Sequence, residues 1–230
     1  MFHLPRGPEY FHAFTRLARV RIIIFVRRQD RYLESVYRQL VKNPRPALGI
    51  DFESYLNHRL ETPELRCRFD WLSSLEPWER VFGKENITIF PYNEYQRVDS
   101  ISLMADCVGL PISKRLPSLG LKSENPSLSA ESTVFLRHLR AKEIHFNPQK
   151  ITEFDALIPD PSTSFSSASG RKQIMDGFRA ENEALGMHYG IDVSPLLAWD
   201  EAIESKRKVL NPEGINIAEL SRLATMAGLI

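Results

Sequence analysis

The sequence predicts an α/β fold in which helices flank a parallel sheet and the C-terminal half is rich in helix. The first observation is Val20–Val26, a nearly unbroken β-branched and apolar run that is typical of a parallel strand covered on both faces. The second is an amphipathic helix directly after it. Its apolar residues recur at helical spacing, at Leu33, Val36, Tyr37, Leu40 and Val41. The change from strand to helix within a few residues predicts one strand-helix unit of such a sheet.

Turn and cap residues mark the next elements. Trp78–Gly83 is predicted to end a helix at its glycine, and Asn86–Tyr92 is predicted to hold a short buried strand followed by a turn. Ser129 is predicted to be the N-cap of a helix that extends to about Leu139. Pro159–Ser169 contains five serines, which predicts a flexible loop or a flap.

The rest of the chain is predicted to be helical. A helix opens at Ser169–Lys172 and closes before Gly190, and two more helical patterns follow at Leu196–Val209 and Ile215–Ala227. One face of the first of these helices is predicted to carry the apolar residues Ile174, Phe178, Leu185 and Tyr189. We expect an α/β domain at 1–190 and a helical extension at 191–230, used for packing or for self-association such as a homodimer.

Whole-chain properties exclude several classes of protein. With 230 residues and 43% apolar composition, the chain can bury one sizeable core. A net charge of +1 argues against a nucleic-acid partner. The longest apolar run is too short to span a bilayer and no signal peptide begins at Met1, so we expect a soluble, cytoplasmic protein. Cys67 and Cys107 are too few and too distant for a metal site or a disulfide framework, and no metal is expected.

The junction between the first strand and its helix has the chemistry of an anion site. Arg27 and Arg28 stand at the carboxyl end of the strand, where ligands of open sheets bind and the next helix offers unpaired N–H groups. Ser35 follows Arg27 by eight residues, and its side chain leans back toward the strand end. An arginine and a hydroxyl can then share one phosphate. The alternative is a basic strand end beside a solvated helix.

This segment resembles the 3′-phosphate-binding motif of sulfotransferases that use 3′-phosphoadenosine 5′-phosphosulfate (PAPS). In that family a strand ends in Arg and a Ser follows eight residues later, as Arg27 and Ser35 do here. The resemblance covers about residues 1–190 and implies a P-loop-NTPase-like sulfotransferase fold. It also implies that PAPS is the co-substrate, without a metal, and that a sulfuryl group passes to a hydroxyl or amine of a small-molecule or carbohydrate acceptor.

Two further segments carry the resemblance. His3-Leu4-Pro5 is similar to a motif of cytosolic sulfotransferases whose His is the catalytic base, so His3 is the candidate base. Glu9 is the fallback, because carbohydrate sulfotransferases often use Glu in that role. Ser169–Lys172 resembles the Gly-Arg loop that contacts the 3′-phosphate in Golgi-type members, which makes Arg171 and Lys172 candidate ligands. From the residues alone, a frayed terminus and solvated surface charges are the alternatives.

The family's loop for the 5′-phosphosulfate has no counterpart in the sequence. The nineteen residues before Val20 contain a single Gly, and no G-x-x-x-x-G-K-[ST] motif occurs elsewhere. We therefore expect the chain to start inside the fold, N-terminally truncated, without the first strand, loop and helix. A truncated gene, a misplaced start codon and a pseudo-enzyme are all consistent with this expectation.

Two other classes of protein remain as alternatives. One is a catalytically inactive sulfotransferase-like protein that binds a nucleotide or a partner, which the missing loop favours. The other is a different P-loop-type transferase, such as a nucleotide or sugar kinase, whose strand-helix layout is alike. The absence of a Lys-Ser/Thr phosphate cradle argues against the second.

Overall fold

The computed structural model describes residues 7–15, 18–43, 50–92, 100–110 and 127–230. Within them the fold is mostly helical and contains a two-stranded parallel sheet of β1 (Ile22–Val26) and β2 (Ile87–Pro91). The helices are α1 (Gly7–Thr15), α2 (Gln29–Lys42), α3 (Phe52–Glu61), α4 (Pro63–Arg66), α5 (Trp71–Phe82), α6 (Ser100–Cys107), α7 (Ala130–Ala141), α8 (Ile151–Ala156), α9 (Ala168–Gly177), α10 (Arg179–Tyr189), α11 (Ser194–Leu197), α12 (Glu201–Glu204) and α13 (Ile217–Met226). The predicted α/β class is confirmed.

The two strands pair in parallel register, with Ile22 opposite Ile87 and Val26 opposite Pro91. Both strands and the helix after β1 lie where the sequence predicted them. The two end residues of β1 are buried, whereas its three central residues are half-buried. Because the strands are parallel, the residues that follow them leave the sheet at the same edge.

Helix α5 begins and ends at residues that the sequence marks. The Asp70 side chain accepts hydrogen bonds from the N–H groups of Leu72 and Ser73, which makes it the N-cap. The helix ends at Gly83, whose φ of 83° lies in the region that favours glycine. A 3₁₀ turn at Lys84–Asn86 then leads into β2. The predicted order of helix end, glycine and strand is confirmed.

Contacts divide the chain into two compact units of three segments each. Unit 1 comprises the described residues of Met1–Gln29, Arg59–Ser123 and Ile174–Ala198. Unit 2 comprises those of Asp30–His58, Glu124–Gln173 and Trp199–Ile230. The segment predicted as a C-terminal extension, 191–230, therefore contributes residues to both units.

In unit 1, aromatic side chains pack α1 against α5. The Phe11 ring lies 6.2 Å from the Trp78 ring and 6.1 Å from the Phe82 ring. Trp71 and Trp78 are buried, as expected for core residues. These rings fix the helix that precedes β2.

In unit 2, the predicted N-cap at Ser129 is confirmed. Its hydroxyl accepts a hydrogen bond from the Ser132 N–H (3.0 Å) and donates one to Asp155 (2.7 Å). The Phe135 and Phe154 rings of α7 and α8 lie 5.2 Å apart, and both side chains are fully buried. The cap and these rings hold α7 on α8.

Two helix predictions for the C-terminal part are wrong in detail. The helix predicted after Ser169 is broken at Phe178 because the Arg66 guanidinium donates to the Gly177 carbonyl (2.8 Å) and stacks over the Phe178 ring. The predicted Leu196–Val209 helix is instead α11, α12 and an isolated bridge between Ser164 and Val209. There the Lys208 carbonyl accepts from the Thr163 N–H (3.0 Å), so the backbone pairs with a neighbouring segment rather than with itself. The helix predicted at Ile215–Ala227 is confirmed as α13.

A hydrogen-bonded cluster joins α5 to α10 in unit 1. The Tyr189 hydroxyl donates to Glu79 Oε2 (2.8 Å), and His188 Nε2 lies 2.8 Å from the same oxygen. These hydrogen bonds, with that of Tyr189 the largest cause, hold the pKa of Glu79 below its ordinary value of 4.5. The carboxylate is therefore favoured by the folded state.

This cluster predicts a pH-dependent contribution to stability. A lowered folded-state pKa stabilises the protein above the unfolded value of 4.5, and this stabilisation is lost as pH falls through the folded value. We expect Glu79→Gln to lower the free energy of unfolding at about pH 7 and to have a smaller effect at about pH 3. Urea denaturation of both proteins at each pH measures this, with Glu76→Gln as the control on an exposed position of the same helix. A Glu79→Gln effect that does not change with pH would contradict the prediction.

Candidate functional site

In unit 1, Arg27 leaves the sheet at the carboxyl end of β1, beside the residue that follows β2. Its guanidinium carbon lies 5.8 Å from the centroid of the Tyr92 ring, and the Tyr92 N–H donates to the Val26 carbonyl (2.7 Å). The Trp71 indole N–H donates to the Arg27 carbonyl (3.1 Å). The Arg27 backbone is thus held in place while its side chain is only half-buried.

The next two residues face the interior of unit 1. The Arg28 side chain is fully buried, and its guanidinium donates to the Ala198 carbonyl (3.1 Å). Gln29 Nε2 donates to Asn182 Oδ1 (2.8 Å), and Asn182 Nδ2 donates back to Gln29 Oε1 (3.1 Å). The adjacent arginines therefore differ in environment, and Arg27 is the one whose side chain reaches solvent.

Ser35 belongs to unit 2 and lies in the second turn of α2, which begins two residues after Arg27. Its side chain is half-buried. Within the described parts of the chain, its hydroxyl makes no hydrogen bond. Ser35 can therefore donate to a ligand without losing an internal bond.

Arg171 is fully buried in unit 2 and is surrounded by acceptors from the protein. One terminal nitrogen donates to Ser164 Oγ (2.9 Å) and to the Ser166 carbonyl. The other donates to Glu204 Oε2 (3.1 Å) and to the Glu204 carbonyl (2.9 Å). The Glu204 carboxylate therefore lies beside Arg171, where the resemblance implies a phosphate.

Glu204 also binds a second arginine of unit 2. Its Oε1 accepts from Arg31 (2.7 Å), whose side chain is 6% exposed, while Glu204 itself is fully buried. Nε of Arg31 and Nε of Arg171 are both buried, and neither makes a hydrogen bond with the residues that the structure describes. Glu204 thus pairs with two buried guanidinium groups, and Nε of Arg31 also lies 3.9 Å from Oδ2 of the buried Asp30.

Glu34 continues this buried cluster and fixes the serine-rich segment. Its Oε1 accepts from Ser164 Oγ (2.6 Å) and from the N–H groups of Phe165 (3.0 Å) and Ser166 (3.3 Å). Ser162 and Ser164 are buried. Pro159–Ser169, predicted to be a flexible loop or a flap, is thus held in part by hydrogen bonds from a carboxylate 130 positions away. We call Arg31, Glu34, Ser164, Arg171 and Glu204 the buried charge cluster.

The remaining candidates are not members of the buried charge cluster. Lys172 is half-buried in α9, and Glu9 is exposed on α1. His3 lies outside the described residues. In the part of the chain that the structure describes, no group of His, Cys, Asp and Glu side chains is arranged to hold a metal ion. No helix there is both long enough and apolar enough to cross a membrane.

Sequence reasoning missed the residues that organise these sites. Glu34 and Glu204 look like solvated charges of amphipathic helices, and Gln29 and Asn182 carry no local signal. A charged residue on the apolar face of its helix is a candidate for burial. Glu34 fits this pattern, because it follows Leu33 and precedes Tyr37 by three residues. Glu34 and Ser164 are 130 residues apart, and Gln29 and Asn182 are 153 residues apart, beyond any local pattern.

Together these observations define a helix-rich α/β protein with arginines at the carboxyl edge of a parallel strand pair. No family model and no solved structure matches the chain. The chain is similar to an uncharacterized protein of Archaeoglobus fulgidus, with 25% identity over 205 residues. The aligned region covers 86% of this chain and 54% of that protein, so the chain spans about half the length of the curated relative it matches.

Proposed function

We propose that this chain binds PAPS through its 3′-phosphate and belongs to a sulfotransferase with a P-loop-NTPase-like fold. The observation that carries the proposal is the β1–α2 junction. Arg27 follows the strand with its backbone anchored, and Ser35 follows eight residues later with a hydroxyl that has no hydrogen bond to the described residues. A guanidinium and a hydroxyl at this spacing are the donors that one phosphate accepts.

The environment of Arg27 supports this proposal. Arg27 is half-buried beside Tyr92, so its charge is partly shielded from water. Lys172 adds a second cation under the proposal, whereas Arg171 acts by fixing the segment that precedes Lys172. No residue is assigned to the 5′-phosphosulfate, since the 230 residues contain no phosphate-cradle motif.

In the proposed reaction, a hydroxyl or amine of the acceptor attacks the sulfur of PAPS. A bond forms between the acceptor atom and sulfur, and the bond between sulfur and the bridging oxygen of the 5′-phosphate breaks. The electron pair leaves with adenosine 3′,5′-bisphosphate (PAP), and the acceptor proton passes to a base, for which His3 and Glu9 are the candidates. The protein positions the groups and stabilises the leaving phosphate.

A second function is favoured by the environment of Arg171. Because Glu204 occupies its donors, the chain has one fewer cation for a phosphate than the resemblance implies. A sulfotransferase-like protein that binds the nucleotide without turnover is consistent with this. Transfer of radiolabelled sulfate from PAPS to a panel of sugars distinguishes the two, because only the enzyme produces a labelled sugar.

Ligand-dependent melting tests the binding step. We expect PAP to raise the melting temperature and adenosine 5′-monophosphate, which lacks the 3′-phosphate, to raise it much less. Arg27→Ala should weaken PAP binding by about 10- to 100-fold, which corresponds to the loss of one charge-assisted hydrogen bond of about 1.5–3 kcal/mol. Ser35→Ala should weaken it by a smaller factor.

Arg19→Ala is the matched control, since Arg19 is an exposed arginine shortly before the same strand. We expect it to leave PAP binding unchanged. If PAP and adenosine 5′-monophosphate protect equally, or if Arg27→Ala and Arg19→Ala have the same effect, the 3′-phosphate assignment is rejected. If Arg27→Ala lowers the melting temperature without ligand, Arg27 has a structural role.

A further inference from the structure

Unit 2 contains a cleft whose lining includes none of the residues assigned above to the nucleotide. Its volume is about 940 Å³, which is within the range of small-molecule sites. Residues from α2, α3, α7 and α9 form its walls, together with the segment that leads into α13. Neither Ser35 nor Lys172 lines it.

One wall of the cleft is aromatic. The Phe52 and Phe165 rings stack with centroids 4.9 Å apart and planes 21° apart, and the Tyr37 ring packs edge-on against each of them. Leu56 and Ile217 extend this apolar lining. A flat ring that packs against this wall is favoured by the apolar area that it removes from water.

Most polar groups of the cleft are engaged within the protein. The Tyr37 hydroxyl donates to the Ile50 carbonyl (3.1 Å), and burial raises the pKa of Tyr37 to about 12, so the phenol stays protonated. Asp51 Oδ1 accepts from the Ser54 N–H (2.8 Å) at the start of α3, and this hydrogen bond lowers the pKa of Asp51. The Ser167 hydroxyl accepts from the Gly170 N–H (3.1 Å) at the start of α9.

Two adjacent donors of α7 are not engaged in this way. Arg137 is half-buried, lines the cleft and forms no hydrogen bond or ion pair with the described residues, although its charge acts on Tyr37 and Asp51. His138 lines the cleft next to it, and its ring stacks on that of Phe135 with centroids 6.5 Å apart. A planar guanidinium with all five N–H donors available matches a carboxylate, which it binds through two parallel hydrogen bonds.

We propose that this cleft binds a small aromatic carboxylate, with the carboxylate on Arg137 and the ring against Phe52 and Phe165. His138 donates a further hydrogen bond, and the fixed carboxylate of Asp51 directs the negative end of the ligand toward α7. This site is independent of the proposed PAPS site, because the two share no residue. Binding of an aromatic carboxylate in this cleft can therefore be tested separately from the sulfotransferase proposal.

Calorimetry and saturation-transfer NMR with 1-naphthoate as the probe test this site on the full chain. We expect 1-naphthoate to bind and the uncharged 1-naphthamide to bind at least tenfold more weakly. Arg137→Met, which keeps much of the length of the side chain without its charge, should weaken 1-naphthoate at least tenfold. Arg80→Met is the matched control on an exposed arginine of unit 1 and should have no effect.

A second variant keeps the test decisive if Arg137→Met does not fold. Ala141 lines the cleft but is exposed near the end of α7, so Ala141→Trp should fill the space without removing a polar partner. We expect Ala141→Trp to abolish 1-naphthoate binding. Equal binding of 1-naphthoate and 1-naphthamide, no binding of either, or unchanged binding by Ala141→Trp would overturn the proposal.

Discussion

Replacing Glu204 by Gln is expected to lower the free energy of unfolding by about 3–5 kcal/mol. The reason is that the Glu204 carboxylate is the counter-ion of two buried guanidinium groups, at 2.7 Å from Arg31 and 3.1 Å from Arg171. The Gln amide keeps one acceptor but loses the charge, so Arg171 loses its paired carboxylate and Arg31 keeps the more distant one of Asp30, at 3.9 Å. For a chain of this size the loss corresponds to a fall in melting temperature on the order of 10 °C.

Thermal and urea unfolding of Glu204→Gln and Glu213→Gln measure this effect. Glu213 is exposed in the same C-terminal segment, and we expect its replacement to change stability by less than about 0.5 kcal/mol. The experiment also bears on Arg171. If Glu204→Gln melts like the unmodified protein and binds PAP more tightly, Glu204 competes with phosphate for Arg171, and its structural role is rejected.

The elements that the sequence predicted correctly depend on local chemistry. The β-branched run of β1, the glycine with positive φ at Gly83 and the hydroxyl cap at Ser129 each act within a few residues. The α2 helix follows for the same reason, because its apolar spacing matches the face that buries Leu33, Tyr37 and Val41. These elements place Arg27 and Ser35, so the β1–α2 candidates could be chosen from the sequence.

The environment of Arg171 could not be predicted in the same way. Its position after a glycine in a serine-rich segment is typical of a solvated or phosphate-binding arginine. Its burial depends instead on Glu204 and on a loop that Glu34 holds through Ser164. These partners belong to other helices, and the free energy that favours them comes from pairing charges in a low dielectric.

The contrast between local preference and tertiary contacts also explains why Leu196–Val209 is not a single helix. Leu196–Val209 has a helical pattern and charges placed as the helix dipole prefers, but this local preference amounts to a few tenths of a kcal/mol for each residue. Backbone hydrogen bonds of Lys208 and Leu210 with Thr163 and Ser164, together with the burial of Glu204, outweigh it. Tertiary contacts therefore decide the structure of the segment that carries the counter-ion of Arg171.

The second large effect is expected in unit 1, where Asn182→Ala should lower the free energy of unfolding by about 2–4 kcal/mol. Asn182 and Gln29 exchange two hydrogen bonds of 2.8 and 3.1 Å, and both side chains are buried. Without Asn182, Gln29 Oε1 loses its amide donor, while Gln29 Nε2 keeps only the Phe69 carbonyl, at 3.2 Å. Each orphaned buried group costs about 1–3 kcal/mol.

A double-mutant cycle measures the coupling between Gln29 and Asn182 separately from the destabilisation that any substitution in α10 causes. We expect the combined loss for Gln29→Leu with Asn182→Leu to be smaller than the sum of the single losses by about 1–3 kcal/mol, because the double variant leaves neither amide without its partner. Glu183→Ala, at the next position and half-exposed, is the control and should be close to neutral. Additive single effects would mean that the two amides are not coupled.

Because Gln29 begins α2 two residues after Arg27, a coupled pair also predicts that Asn182→Ala weakens PAP binding without any contact to the nucleotide.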